Sequence, residues 1–263
     1  MVNKSKNTKK TYIYSDKRTL FVYILLRLLI VVCMIRELFN GNIQNVMLCI
    51  LSLFLLLLPS IIEKKFKIEL PSILEIIIFL FIFASEILGE INNFYGTIPG
   101  WDSLLHTLNG FLCASIGFSL VYLLNENSQS FKLSPIFVVL VSFCFSMTVG
   151  VVWEFFEYGM DHFFNLDMQK DKYVYNINTV SLDTTHSNSV VSINGIDHTI
   201  IYDKNNNKLA EFNGYLDIGL NDTMKDLLVN FIGAVVYSIY GYLYIIDQKK
   251  HKLAGKFLTV RMN

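Results

Sequence analysis

The sequence predicts an all-α polytopic membrane protein with about six transmembrane helices and a small extracytoplasmic β-hairpin insertion. Three observations carry that expectation. Of the 263 residues, 53% are hydrophobic and 17% are charged, so most of the mass does not suit an ordinary water-soluble fold. The apolar residues gather into runs of roughly 20, the length that crosses a bilayer core of about 30 Å. A single long polar stretch, rich in Asn, Asp and Thr, separates the last two runs.

The runs lie at 19–39, 43–62, 71–91, 101–124, 133–158 and 223–246. The first is too long for a signal peptide and lacks a small-residue cleavage site, so it is expected to remain as a membrane helix. It carries Arg27 near its middle and Arg36-Glu37 near its end, charges that must snorkel or face the bundle. Asn40-Gly41-Asn42 turns the chain, and the charged stretch from Glu63 to Glu69 breaks the second run from the third. Pro71, Pro99-Gly100 and Pro135 mark helix starts, where a missing backbone N–H costs nothing. The short polar link 125–132 makes the fourth and fifth helices antiparallel neighbours.

Formal net charge is zero, but the basic residues are segregated. Six Lys and Arg precede the first helix, three lie between the second and third, one between the fourth and fifth, and five follow the sixth. The positive-inside rule then places both termini in the cytoplasm of a cell membrane. The expected organisation is a basic cytoplasmic N-terminus (1–18), helices one to five (19–164), an extracytoplasmic polar segment (165–221), helix six (222–247) and a basic cytoplasmic tail (248–263). In the polar segment, Asn194-Gly195 between 189–193 and 198–202 is a type I′ hairpin signal, and Lys204 to Lys208 is a second turn. Cys33, Cys49, Cys113 and Cys144 all fall in apolar runs and read as small buried residues. The partner implied throughout is the lipid bilayer; no Gly-rich phosphate loop and no basic-aromatic surface suggests a nucleotide cofactor or nucleic acid.

The ionisable residues within the helices concentrate near one set of ends, the extracytoplasmic ones on this orientation. Helix three brings Glu86 and Glu90. Helix four opens with Asp102 and His106, four apart and so on one face. Helix five closes with Glu154, Glu157 and Asp161 on one face, and helix six opens with Asp222, Asp226 and Asn230 on one stripe. A carboxylate at the bilayer centre is disfavoured by roughly 2.5–3.5 kcal/mol, so several at one depth call for water, protons, partners or a metal. Oxygen ligands in excess of one imidazole, without thiolate, suit a divalent ion such as Mg, Mn or Zn. Asp102, Glu154, Asp222 and Asp226 are the candidate metal ligands, and His106 and Glu157 the candidate catalytic acid or base. The plainer reading is that Asp102 and Asp222 complement helix dipoles, that the other acids are merely wet, and that Asn109 and Asn230 are packing hydrogen bonds. Gly110, Gly233 and Ala234 suit close helix packing, and Trp101 and Trp153 an interfacial belt.

The series Trp101-Asp102-x3-His106-x2-Asn109-Gly110, Trp153-Glu154-x2-Glu157, Asp161, then Asp222-x3-Asp226-x3-Asn230-x2-Gly233 resembles the YjdF-like family of bacterial membrane proteins. A fainter similarity is to VanZ-like proteins, which share an Asp-x3-His helix start and an Asp-x3-Asn-x2-Gly helix start and are associated with the cell envelope. The Gln and Arg of the VanZ-like middle motif are missing here, and the long polar segment is extra. The resemblance implies a shared helical core and a polar site, without a reaction. Three functions fit: an envelope enzyme using a divalent metal on a lipid or lipid-linked substrate, a transporter or ion-binding protein, and a structural or sensory protein whose polar cluster holds the helices together. No GxSxG, HExxH or redox Cys pair narrows the choice.

Overall fold

In a computed structural model, residues 16–66, 68–127 and 132–261 are described. Most of the expected basic N-terminus, part of the 125–132 link, Lys67 and the last two residues lie outside them. Six helices are long and apolar enough to cross a membrane, at Lys17–Phe39, Ile43–Lys65, Ser72–Ile91, Trp101–Glu126, Pro135–Phe164 and Leu220–Ile246. Much of their apolar surface is uncovered: Ile24, Leu28 and Val32 in the first are each more than half exposed. Such stripes are stable against lipid and costly against water. The chain divides into two units, one of residues up to 150 together with 229 onward, the other of residues 151–228.

In the first unit, α1 (Lys17–Phe39) and α2 (Ile43–Leu55) form an antiparallel pair around the Asn40–Asn42 turn, where Gly41 takes a φ of +72°. The charges of α1 divide as their lengths allow. Arg36 stays half-exposed, whereas Glu37 is buried and accepts from Arg36 Nε (2.8 Å) and Asn45 Nδ2 (2.9 Å) of α2. Arg27 bonds the Tyr23 hydroxyl one turn back and lies over its ring. The second span is not continuous. Pro59 cannot donate to the carbonyl four residues back, so the chain turns at Leu56-Leu57 and resumes as α3 (Leu58–Phe66).

The third span begins as α4 (Ser72–Ile82) and continues as a π-helix, Phe83–Ile91. A short α5 (Phe94–Thr97) folds back on it, and Gly89 makes this possible, since a Cβ there would stand 2.4 Å from the Tyr95 ring. The Tyr95 hydroxyl bonds Ser85 (3.2 Å), and its burial pushes the phenol above its usual range. Two cores result. Tyr23, Ile30, Cys49, Leu56, Phe79 and Ile87 knit α1, α2 and α4 together. Leu74, Phe118, Val138, Ala234, Tyr237 and Phe257 knit α4 to α6 (Trp101–Asn127), α7 (Pro135–Phe164), α8 (Leu220–Ile246) and the C-terminus. Of the cysteines, Cys33 and Cys49 are buried as expected, but Cys144 is exposed on an uncovered face of α7.

The basic tail does more than trail from the last helix. After α9 (Lys252–Gly255), Ser119 of α6 donates to the Phe257 carbonyl (3.1 Å) and accepts from the Thr259 N–H (2.9 Å). Then β8 (Val260–Arg261) pairs antiparallel with β1 (Ile68–Glu69).

The second unit holds the end of α7, the polar segment and the first two turns of α8. Three antiparallel pairs form there: β2 (Lys172–Val174) with β7 (Tyr215–Asp217), β3 (Asn176–Thr179) with β4 (Val191–Asn194), and β5 (His198–Tyr202) with β6 (Lys208–Asn213). The expected turn at Lys204–Lys208 forms, with Asp203 accepting from the N–H groups of Asn205 and Asn207. The expected hairpin at Asn194-Gly195 does not. Type I′ needs positive φ at both central residues, and only Gly195 has it (+69°). Asn194 instead stays in strand opposite Asn176, whose side chain accepts from the Gly195 N–H (3.1 Å).

Candidate functional site at the helix ends

In the first unit, Gly100 (φ +80°) turns the chain into α6, which presents Asp102 and His106 one turn apart. Asp102 Oδ1 lies 3.4 Å from His106 Nε2, a contact that orients the ring whether or not it is charged. Both residues are partly buried. One turn further in, Asn109 Nδ2 donates to Asn230 Oδ1 of α8 (3.2 Å), and Asn230 also reaches Met147 Sδ of α7 (3.6 Å). Asn230 is 1% exposed, so these bonds satisfy an amide that lipid cannot.

Small residues bring the three helices this close. A Cβ on Gly110 would sit 2.0 Å from the Asn230 carbonyl oxygen, and one on Gly233 equally near that of Thr107. Gly150 leaves room for the Asn230 side chain itself. Ser142 and Ser146 of α7 donate to the carbonyls of Ala114 (2.6 Å) and Gly110 (2.8 Å). The contacts Asn109–Asn230, Gly233–Thr107, Phe111–Tyr237 and Tyr122–Tyr244 advance together along both chains, so α6 and α8 run parallel.

In the second unit, Glu154 and Glu157 turn inward from the end of α7, 4% and 8% exposed. Trp153 Nε1 donates to Glu157 Oε1 (2.8 Å), which fixes that carboxylate. Asp161 accepts from the N–H groups of Met168 (2.6 Å) and Gln169 (2.8 Å), closing the turn after α7. Asp222, in the first turn of α8, accepts from the Lys170 N–H (3.0 Å) and Lys172 Nζ (2.9 Å), while Thr223 accepts from Gln169 Nε2. Asp226 is 1% exposed, with Lys225 Nζ at 3.6 Å from Oδ1. Asp171, outside the helices, is pushed above its usual range by burial and then by Asp167, Asp217 and Asp161.

The anticipated residues thus separate by environment. Asp102 pairs with His106; Glu154, Glu157 and Asp226 are buried carboxylates on membrane helices; Asp161 and Asp222 tie down the foot of the polar segment. Glu86 accepts from Ser85 (3.3 Å) on the π-helix. Away from these, His162 stacks on Tyr158 and His198 contacts Asp197. Sequence reasoning missed Met147, Gln169 and Lys172. Only the last was signalled, as a cation flanking an acid-rich helix start.

No solved structure matches the chain. An uncharacterized protein of Thermotoga maritima is 28% identical over 103 residues, covering 39% of this chain and 52% of that protein. The chain therefore spans about half the length of that relative. A much longer match, over residues 20–247, is to the model of the family described as predicted membrane protein DUF2238. That match takes in all six long apolar helices but for the first three residues of the first, with the Asp102–His106 pair and the Asn109–Asn230 seam, and the chain belongs to this family.

Proposed function

We propose that this chain is an envelope enzyme of the bacterial cell membrane that binds a divalent metal ion and acts on a lipid or lipid-linked substrate. The observation that carries the reading is the burial of Asp226 and Glu154, 1% and 4% exposed, on helices long and apolar enough to span a bilayer. On this reading Asp226, Glu154 and Asp102 hold the ion, with Asp222 as an outermost donor.

The ion would align a phosphate or activate a water. His106, oriented by Asp102, takes or gives the proton, and Glu157, oriented by Trp153, is the second acid or base. The resemblance to VanZ-like proteins, associated with the cell envelope, points the same way. A specific observation favours a structural reading as the alternative: Asp222 and Asp161 already bind backbone and Lys172 groups of the polar segment.

Elemental analysis of the detergent-purified protein separates the two. Stoichiometric metal in the wild type, lost from a folded Asp226→Asn, Glu154→Gln variant, is the expected result. A metal-free wild type with the variant reduced in abundance would leave the structural role.

A further inference from the structure

The first unit has a groove of about 420 Å3 whose walls are apolar. Ile77 of α4 and Ala84 of the π-helix form one wall, Gly233 and Val236 of α8 the other, and α6 the floor from Trp101 to Phe111. Helix over that stretch rises about 15 Å, so the floor runs through about half of a hydrocarbon core of about 30 Å. The rim is open, with Leu80 and Leu104 48% and 58% exposed. The two lining side chains that carry polar atoms spend them on backbone. Trp101 Nε1 donates to the Ala84 carbonyl (3.3 Å), and Thr107 Oγ1 to that of Ser103 (2.7 Å). The groove thus offers a guest dispersion contact rather than hydrogen bonds.

Size, depth and the chemistry at the mouth select the guest. A helix about 10 Å across would fill more than about 1,000 Å3 over the same length, so the groove is too narrow to seat a further helix. One straight hydrocarbon chain, lying along α6 from its start inward, suits both the section and the length. The mouth is polar. Trp101, packed edge-on against Phe94 with ring centroids 5.1 Å apart, stands at the start of the floor. Asp102 and His106 each follow a groove residue, Trp101 and Leu105, and so lie on the neighbouring stripe of α6, about 100° round the helix. An apolar slot that ends at a polar pair matches an amphiphile with its chain inward and its headgroup at the helix ends.

We propose that this groove binds one acyl chain of a membrane phospholipid and so presents the lipid's headgroup to Asp102 and His106. The inference rests on the reading of the chain as an enzyme of lipid or lipid-linked substrates, and it names the part of the substrate that is held. The lipid enters sideways past Leu80 and Leu104 and never leaves the bilayer. Chain length and straightness, more than headgroup identity, then decide which lipids are retained, because a long branched chain exceeds the groove.

The test is photolabelling of the full chain in phosphatidylcholine vesicles with a phosphatidylglycerol that carries a diazirine on one acyl chain, labelled residues being mapped by peptide mass spectrometry. Labelling should concentrate on the groove, at residues such as Leu108, well above the exposed α1 stripe of Ile24, Leu28 and Val32. Ala84→Phe and Val236→Phe fill the groove from opposite walls, and each should reduce labelling within it about tenfold. Val32→Phe should leave it unchanged. If one filling variant does not fold, the other and the wild-type contrast with α1 decide the matter. Equal labelling of groove and α1 stripe, the mark of annular lipid only, overturns the proposal, as does groove labelling that neither filling variant lowers. So does a groove shielded by a crosslinked second copy, or labelling displaced by polyprenyl phosphate but not by unlabelled phosphatidylglycerol. The Asp226→Asn, Glu154→Gln variant should label in the groove as the wild type does, so a metal-free protein with a labelled groove overturns the metal reading alone.

Discussion

An added methyl group at Gly233 would meet the Thr107 carbonyl at 2.0 Å, a backbone atom that cannot swing aside. Gly233→Ala should therefore cost about 1–3 kcal/mol by overpacking, read as a lower unfolding midpoint in detergent. Asn230→Ala acts on the same seam from the polar side. It should cost about 1 kcal/mol, the usual size of an interhelical hydrogen bond in membranes, and a Gly233→Ala, Asn230→Ala double variant should be non-additive. In water, the informative residue is Asp183. The Thr185 hydroxyl and the N–H groups of Ser189, Thr185 and Ser187 hold its carboxyl down to about 2. A depressed folded-state value contributes stability that is complete above the unfolded value of about 3.9 and is lost as pH falls through the folded one. Amide exchange at Ser187 and Ser189 should thus stay slow, relative to the intrinsic rate, down to about pH 4 and quicken towards pH 2. Asp183→Asn should show no such step.

The foot of the polar segment is held by helix ends as well as by the β2–β7 pair. Asp161→Ala strands the N–H groups of Met168 and Gln169, a local loss of about 1–3 kcal/mol. Trypsin should then cut at Lys170 or Lys172 sooner than in the wild type, while cleavage at Lys204 in the distal turn is unchanged. What the sequence made legible follows from which force governs each element. The six spans were legible because about 20 apolar residues have no other comfortable solvent. The π-helix was hidden, since Glu86 and Glu90 keep an ordinary spacing in the sequence and only the packing of Tyr95 over Gly89 exposes the wider turn. The Asn194-Gly195 turn misled because the dipeptide advertises a local preference, whereas pairing with Asn176–Thr179 is a contact at a distance. The Asp102–His106 contact was readable as a spacing of four. Asn230 was visible as a stripe member, but its partner Met147 carries no signal a polar-site search would use.

Six helices are long and apolar enough to cross a membrane, and from the basic residues we propose that both termini face the cytoplasm. A green fluorescent protein fused at the C-terminus should fluoresce, and alkaline phosphatase inserted after Gly195 should be active; the opposite pattern would invert the topology. Between Phe164 and Leu220 the ribosome spends roughly several seconds at its usual pace. For that interval α6 and α7 are already made while α8 is not, and Asn109, Gly110 and Gly150 lack the helix that Asn230 brings. A half-made molecule therefore shows the bilayer an amide and a bare backbone groove that lipid does not satisfy. The length of the polar segment sets how long each newly made copy stays in that state.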